Sequence, residues 1–192
     1  VTHAHLDHAG GTSALLAQCP NAQVLCHPKT AKTLLRPERL IENAEKVYGK
    51  QQFQKLYGTI LPIPESRIKS VQDGEIFDWN GRKLTFFFTI GHATHHVCIF
   101  DSESRGVFTG DTFGLCYPDL QQHGVFVLPS TSPIDYNPIE AKKSVDKILA
   151  FQPQCLFLTH FGVISQIEEA KIDLLKNLGI HEEQYQIGRA HV

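Results

Sequence analysis

Apolar positions recur along this chain with two periods, and the change from one to the other divides it. Up to residue 58 the dominant spacing is three and four. Residues 7–18 read as a helix with Ala14, Leu15, Leu16 and Ala17 inward, ended by Cys19-Pro20-Asn21. Residues 22–26 are a short apolar run with β-branched Val24, read as a buried strand that His27-Pro28 breaks. From 29 to 57 Leu34, Leu35, Leu40, Ile41, Ala44, Val47, Tyr48, Phe53 and Leu56 mark helices, at least two because Pro37 interrupts them.

Beyond Pro64 the period becomes two. Residues 67–71, 75–78 and 82–90 read as strands joined by turns at Asp73-Gly74 and Asn80-Gly81, both hairpin signals. Phe86-Phe87-Phe88-Thr89-Ile90 is continuous enough to be buried on both faces. Residues 96–101 and 106–109 form another strand pair, and a proline- and aromatic-rich loop spans 112–137. A helix over 138–151 follows, with Asn137 as N-cap and Pro138 at its first position. Residues 155–159 are a buried strand, and 165–178 a closing amphipathic helix stopped by Gly179. Helices and strands mixed in this way predict an α/β protein.

Composition narrows the class of partner. At 192 residues one domain is expected. Eighteen basic against 20 acidic residues give a net charge of −2 and no basic face, which argues against nucleic acid. No apolar run approaches the length of a membrane span. Five scattered cysteines, odd in number and without a Cys-x-x-Cys pair, suit free thiols in a reducing compartment, hence a cytoplasmic expectation. Methionine is absent, so the start is read as missing. Residues 187–192, Ile-Gly-Arg-Ala-His-Val, match one reading frame of a common sequencing adapter and are read as a non-native tail, with His191 excluded from any site. The domain is therefore placed at 1–186.

The candidate chemistry sits at the start. Val1-Thr2-His3-Ala4-His5-Leu6-Asp7-His8-Ala9-Gly10-Gly11 puts three histidines and an aspartate within six residues. Imidazole and carboxylate suit zinc and its transition-series neighbours. In an extended turn alternate residues share a side, so His3 and His5 can hold one ion, while Asp7 and His8 at the start of a helix can hold a second. Gly10-Gly11 lets the backbone pass close with little steric penalty. Downstream, Gly91-His92, Gly110-Asp111 and Thr159-His160 each place a ligand type just past a strand.

These motifs resemble those of the metallo-β-lactamase-fold hydrolases, which include glyoxalase II, lactonases and several nucleases, and the resemblance covers nearly the whole chain. It implies an αββα sandwich, a four-layer α+β fold, whose first strands are missing from this fragment. It implies that His3, His5 and His92 hold a first metal, Asp7, His8 and His160 a second, and that Asp111 bridges both. Histidine at position 5 favours two zinc ions, with iron or manganese as alternatives. Asp111 stands where the true β-lactamases use cysteine, and Phe113 where many quorum-quenching lactonases carry tyrosine.

The implied activity is hydrolysis of a small ester, thioester or lactone by a hydroxide that two metals activate and that Asp7 orients. A mononuclear iron sulfur-dioxygenase and a phosphodiesterase or nuclease are the alternatives. His96 is expected behind the ligands; Cys116, Tyr117 and His123, with His95, Tyr48 and Tyr57, are candidate pocket residues. The helical segment at about 29–60 is a cap or lid over a small-molecule substrate, or else a packing excursion or homodimer surface.

Overall fold

The structure, a computed structural model, describes residues 1–132 and 135–190, the last three of these as backbone alone. His191 and the end of the 187–192 tail lie outside the described residues. Two compact units divide the chain, 1–72 and 73 onward.

In the first unit, the histidine-rich stretch runs into a one-turn helix α1 (Leu6–Ala9), and α2 (Thr12–Gln18) follows. The predicted single helix over 7–18 is thus broken at Gly10-Gly11. A Cβ on Gly10 would lie 2.6 Å from the Leu6 carbonyl oxygen, whereas Gly11 faces open space. Of the pair, then, only Gly10 is demanded by a close approach. The inward face of α2 also differs from expectation. Thr12 and Leu16 are buried, while Ala14, Leu15 and Ala17 are exposed, because so short a helix offers one narrow stripe to its neighbours.

Strand β1 (Val24–Cys26) leads through His27, whose Nδ1 accepts from the Lys29 amide at 3.0 Å, into α3 (Pro28–Leu35). Helices α4 (Glu38–Tyr48) and α5 (Lys50–Tyr57) are separated by Gly49 at φ 76°. Two apolar clusters grip α1 from its two sides. Ala9 joins Leu16, Val24, Cys26, Ala31, Leu34 and Ile63. Leu6 packs with Ile41, Ala44, Phe53, Tyr57 and Ile60 of the α4–α5 region. The residues between His5 and Gly10 therefore inherit their position from most of the unit's core.

Strand β2 (Ile68–Ser70) pairs in parallel with β1, Val24 beside Ile68 and Cys26 beside Ser70. Asp73-Gly74 consequently does not close a hairpin with the 67–71 strand, as its turn chemistry suggested. Instead, the Asp73 carboxylate accepts from the Phe88 amide at 2.6 Å and Gly74 N–H donates to the Phe86 carbonyl, starting the next sheet.

The second unit is a six-stranded sheet in sequence order: β3 (Ile76–Trp79), β4 (Arg82–Phe88), β5 (Val97–Asp101), β6 (Gly106–Gly110), β7 (Cys155–Leu158) and β8 (Gly162–Ile164). Sequence reading missed β8. The β3–β4 turn is Asn80-Gly81, both at positive φ, 53° and 89°, as a tight hairpin turn of matching twist requires. Only β6–β7 is parallel, and α6 (Pro138–Ala150) makes that crossover. The Asn137 side chain accepts from the Ile139 and Glu140 amides, so the predicted cap is real.

The closing helix α7 (Ile167–Ala190) runs through Gly179 rather than stopping there. An interior glycine costs a helix only about 1 kcal/mol. Leu174 and Leu178 are buried before it, and beyond it Glu182 pairs with Lys142 and His181 meets the Tyr136 ring. Both helices contribute Val145, Ile148, Ala170, Leu174 and Leu178 to one apolar core with Phe87, Val107, Phe113 and Leu156 of the sheet side. Among the described residues no helix is long and apolar enough to cross a membrane. The five cysteines are free thiols, and burial pushes Cys26 up to about 11 and Cys98 up to about 12.

Fully buried Asp101 closes the β5–β6 turn. Its carboxylate accepts from Arg82 Nε at 2.9 Å and from Arg82 Nη2, from the Glu103 and Ser104 amides, and from Ser104 Oγ at 2.6 Å. Arg82 above all holds this carboxyl well below the usual carboxylate range. A depressed native pKa means stability present above the unfolded value of about 4 and lost as pH falls toward the native one. Asp101→Asn is therefore expected to cost about 2 kcal/mol at pH 7. Urea titrations at pH 7 and pH 3 should show that difference shrinking at the acid end; an unchanged difference would contradict the ionic assignment.

Candidate metal centre

The first unit brings together the ligands of the opening motif. His5 is extended, at φ −67° and ψ 153°, before α1 begins. Alternation then puts His3 and His5 on one side, and His3 Nε2 lies 3.0 Å from His5 Nδ1. His3 is fully buried, its Nδ1 3.2 Å from the Thr2 hydroxyl. One turn of helix then presents Asp7 and His8, with His8 Nε2 3.3 Å from an Asp7 carboxylate oxygen. The His3 and His8 rings are 4.0 Å apart, centre to centre. Asp7 is the exposed member, at 53 % of its side-chain surface against 4 % for His8.

Tyr57 packs in the apolar cluster that holds Leu6 of α1. Its ring lies 5.5 Å from Phe53 and 5.7 Å from Tyr48. Hydrogen bonding to the Tyr48 hydroxyl, then desolvation and the charges of Tyr48 and Asp7, push its phenol up to about 12. Near neutral pH it is an uncharged O–H donor.

In the second unit topology does the gathering. Strand β4 is antiparallel to β5, β5 to β6, and β6 parallel to β7, so β4, β6 and β7 all end at one edge of the sheet. His92, Asp111 and His160 follow those three strand ends. His92 Nε2 is 3.4 Å from Asp111 Oδ2, and His160 Nε2 is 3.5 Å from Asp111 Oδ1. One carboxylate thus turns a different oxygen to each of two histidines.

These separations suit a metal. Two ligands of a tetrahedral ion with bonds of about 2.0–2.1 Å stand about 3.3–3.4 Å apart. Moreover, His92 Nδ1 donates to the Ser130 carbonyl at 2.9 Å, which fixes its tautomer and leaves Nε2 as a lone-pair donor. His3, His5, Asp7, His8, His92, Asp111 and His160 each belong to a group of side chains that could hold a metal ion.

The supporting side chains divide into foreseen and unforeseen. His96 is fully buried, and its Nε2 accepts from the Asp111 amide at 3.1 Å, directly behind that ligand. Ser130 was not foreseen: its hydroxyl donates to Asp111 Oδ2 at 3.0 Å while its carbonyl accepts a hydrogen bond from His92 Nδ1. Nor was Ser132, whose hydroxyl donates to the His92 carbonyl at 3.2 Å. Serines in a long loop carry no spacing signal that would single them out.

Of the proposed pocket residues, Tyr117 packs on Phe161 with ring centres 4.5 Å apart, next to His160. Cys116 is half-buried against the apolar core, its thiol pushed up by burial, and His123 is exposed in the loop. His95 is half-buried. Phe113, the position noted for tyrosine in lactonases, is wholly inside the core.

A mixed α/β fold with histidines and carboxylates that could hold a metal, gathered at strand and helix ends, is the arrangement of the metallo-β-lactamase fold. The metallo-beta-lactamase superfamily model matches residues 1–160, and the chain belongs to that superfamily. It is 31 % identical over 170 residues to a metallo-beta-lactamase fold-containing protein of Sulfurisphaera tokodaii, covering 86 % of this chain and 60 % of that one. A crystal structure of an archaeal superfamily member from Sulfolobus tokodaii superposes with a TM-score of 0.69 at 29 % identity, over 95 % of this chain and 65 % of the other. A hydroxyacylglutathione hydrolase of Prochlorococcus marinus is 30 % identical over 112 residues, 58 % of this chain and 33 % of that protein. The chain thus spans less than two thirds of the length of these curated relatives, 60 % of one and 33 % of the other.

Proposed function

We propose that the chain is the catalytic region of a zinc-dependent hydrolase of small esters, thioesters or lactones. The reading rests above all on Asp111, whose two oxygens each face one histidine, as a carboxylate shared by two ions would. Similarity to a hydroxyacylglutathione hydrolase favours a thioester or ester over a phosphodiester, and the absence of a basic excess agrees. In this proposal His3, His5 and His92 hold one zinc, Asp7, His8 and His160 the other, and Asp111 both.

A metal pair so held supplies acidified water and a Lewis acid for the substrate's carbonyl oxygen. The chain's own residues do the rest. Exposed Asp7 accepts a hydrogen bond from the attacking water and aims its lone pair. Ser130 and the Asp111 amide contacts keep the shared carboxylate from rotating.

The test uses the whole chain, purified without added metal for elemental analysis and then assayed against a panel of thioesters, aryl esters, lactones and phosphodiesters. We expect close to two zinc per chain by elemental analysis, and carboxylic ester or thioester hydrolysis that a chelator abolishes and added zinc restores. One iron per chain with oxygen uptake on persulfides, or cleavage of phosphodiesters alone, would overturn the reading.

A further inference from the structure

The turn between β4 and β5 buries a histidine that the proposed chemistry does not use. His96 has no solvent exposure. Its Nε2 accepts from the Asp111 amide at 3.1 Å. A backbone N–H can only donate, so Nε2 carries no proton and the ring proton of the neutral imidazole is on Nδ1. Two hydroxyls meet that Nδ1: Thr89 Oγ1 at 2.8 Å and Thr112 Oγ1 at 3.1 Å. Thr89 Oγ1 also lies 3.2 Å from Cys98 Sγ, and that thiol donates to the Thr109 carbonyl at 3.3 Å.

The partners come from two ligand-bearing strand ends. Thr89 directly follows β4, three residues before His92; Thr109 lies in β6, and Thr112 follows Asp111. The Thr89 amide also donates to the His96 carbonyl at 3.1 Å. The His96 ring stands edge-on to His92, 5.9 Å between centres. One imidazole therefore touches both segments whose side chains must stay 3.4 Å apart.

We infer that His96 is a positioning residue: locked as its Nδ1–H tautomer, it acts as the strut that sets the spacing of His92 and Asp111 and so the metal affinity of the centre. The inference rests on the proposed metal centre but not on its substrate. Strut and ligands are both buried, so a lost hydrogen bond cannot be replaced by bulk water. Outer partners of metal ligands typically change affinity about 10- to 100-fold when removed.

Two substitutions separate positioning from packing. His96→Leu keeps the bulk but leaves the Asp111 amide without its ring acceptor. His96→Gln offers a carboxamide oxygen to that amide and an NH2 to the threonine hydroxyls. Zinc affinity is measured by competition with a chromophoric chelator, beside the thermal transition of each metal-free protein. We expect His96→Leu to weaken zinc at least about tenfold and His96→Gln to stay within about threefold of wild type.

Should His96→Leu fail to fold, Thr112→Val removes one partner of Nδ1 and is expected to weaken zinc roughly threefold. Nitrogen-15 NMR of the metal-free wild type should show the Nδ1–H tautomer at His96. An Nε2–H tautomer overturns the inference, as does a folded His96→Leu with wild-type zinc affinity. A wild type that binds no zinc would instead overturn the proposed function. In that case the tautomer, and an Asp111 amide resonance displaced in His96→Leu but little moved in His96→Gln, decide the strut without any metal.

Discussion

Asp111→Ala is expected to take zinc content from near two per chain to one or fewer and to lower kcat/KM by at least about a thousandfold, some 4 kcal/mol of transition-state stabilisation. The size follows from how many things converge on this carboxylate. Its oxygens face His92 and His160, Ser130 donates to it, and its own amide is held by His96. Alanine removes the carboxylate that both histidines face and leaves the imidazoles with nothing to separate them but water. Asp111→Asn sharpens the test. The amide fills the same space, yet one of its two terminal groups is an NH2, which cannot ligate and must point at one histidine or the other. Asparagine should therefore keep part of the fold's stability while losing most of the second metal. Elemental analysis with esterase assays checks both variants. Two zinc retained in either would mean that the carboxylate is not shared, and the assignment of Asp111 to both ions would fall.

The grouping of residues that could hold a metal was legible in the sequence because they sit where local rules are strong. His3 and His5 alternate along extended backbone, and one turn of helix then presents Asp7 and His8, an arrangement that eight residues suffice to show. His92, Asp111 and His160 were legible because each follows an apolar strand, and because β4, β6 and β7 run the same way. What could not be read was anything that depends on a distant partner. The 67–71 strand carried a hairpin turn at Asp73-Gly74, but it found a parallel neighbour in β1 some 44 residues earlier, Val24 against Ile68. Gly179 looked like a helix stop, yet contacts of Glu182 and His181 outweigh a cost of about 1 kcal/mol. Ser130 and Ser132 reach His92 and Asp111 across 19 to 40 residues of chain. His96 was suggested by its spacing from His92, but its acceptor role toward the Asp111 amide is set by tertiary structure alone.

Gly91→Ala should couple stability and site in a single methyl group. Gly91 has φ 130°, a backbone conformation that side-chain-bearing residues rarely adopt. A Cβ there would stand 2.4 Å from the Ala141 nitrogen and 2.5 Å from its Cα, both backbone atoms of the first turns of α6. The helix cannot yield easily, since Ala141, Val145 and Ile148 are buried in the core and the Asn137 amide donates to the Gly91 carbonyl at 2.7 Å. The loop must move instead, and the next residue in that loop is His92. Strain and overpacking together are expected to cost roughly 3 kcal/mol. The displaced imidazole should in addition weaken zinc by about tenfold or more, because ligand geometry tolerates only about 0.5 Å of error. Gly11→Ala is the control: it adds the same methyl beside the opening motif, into open space. Its stability should stay within about 0.5 kcal/mol of wild type, with zinc affinity unchanged. Urea unfolding of the metal-free proteins and chelator competition separate the two consequences at position 91. If Gly91→Ala loses stability but binds zinc like wild type, the close approach of Gly91 to α6 supports the fold alone. If affinity falls with stability, the close approach at Gly91 is what holds His92 toward Asp111.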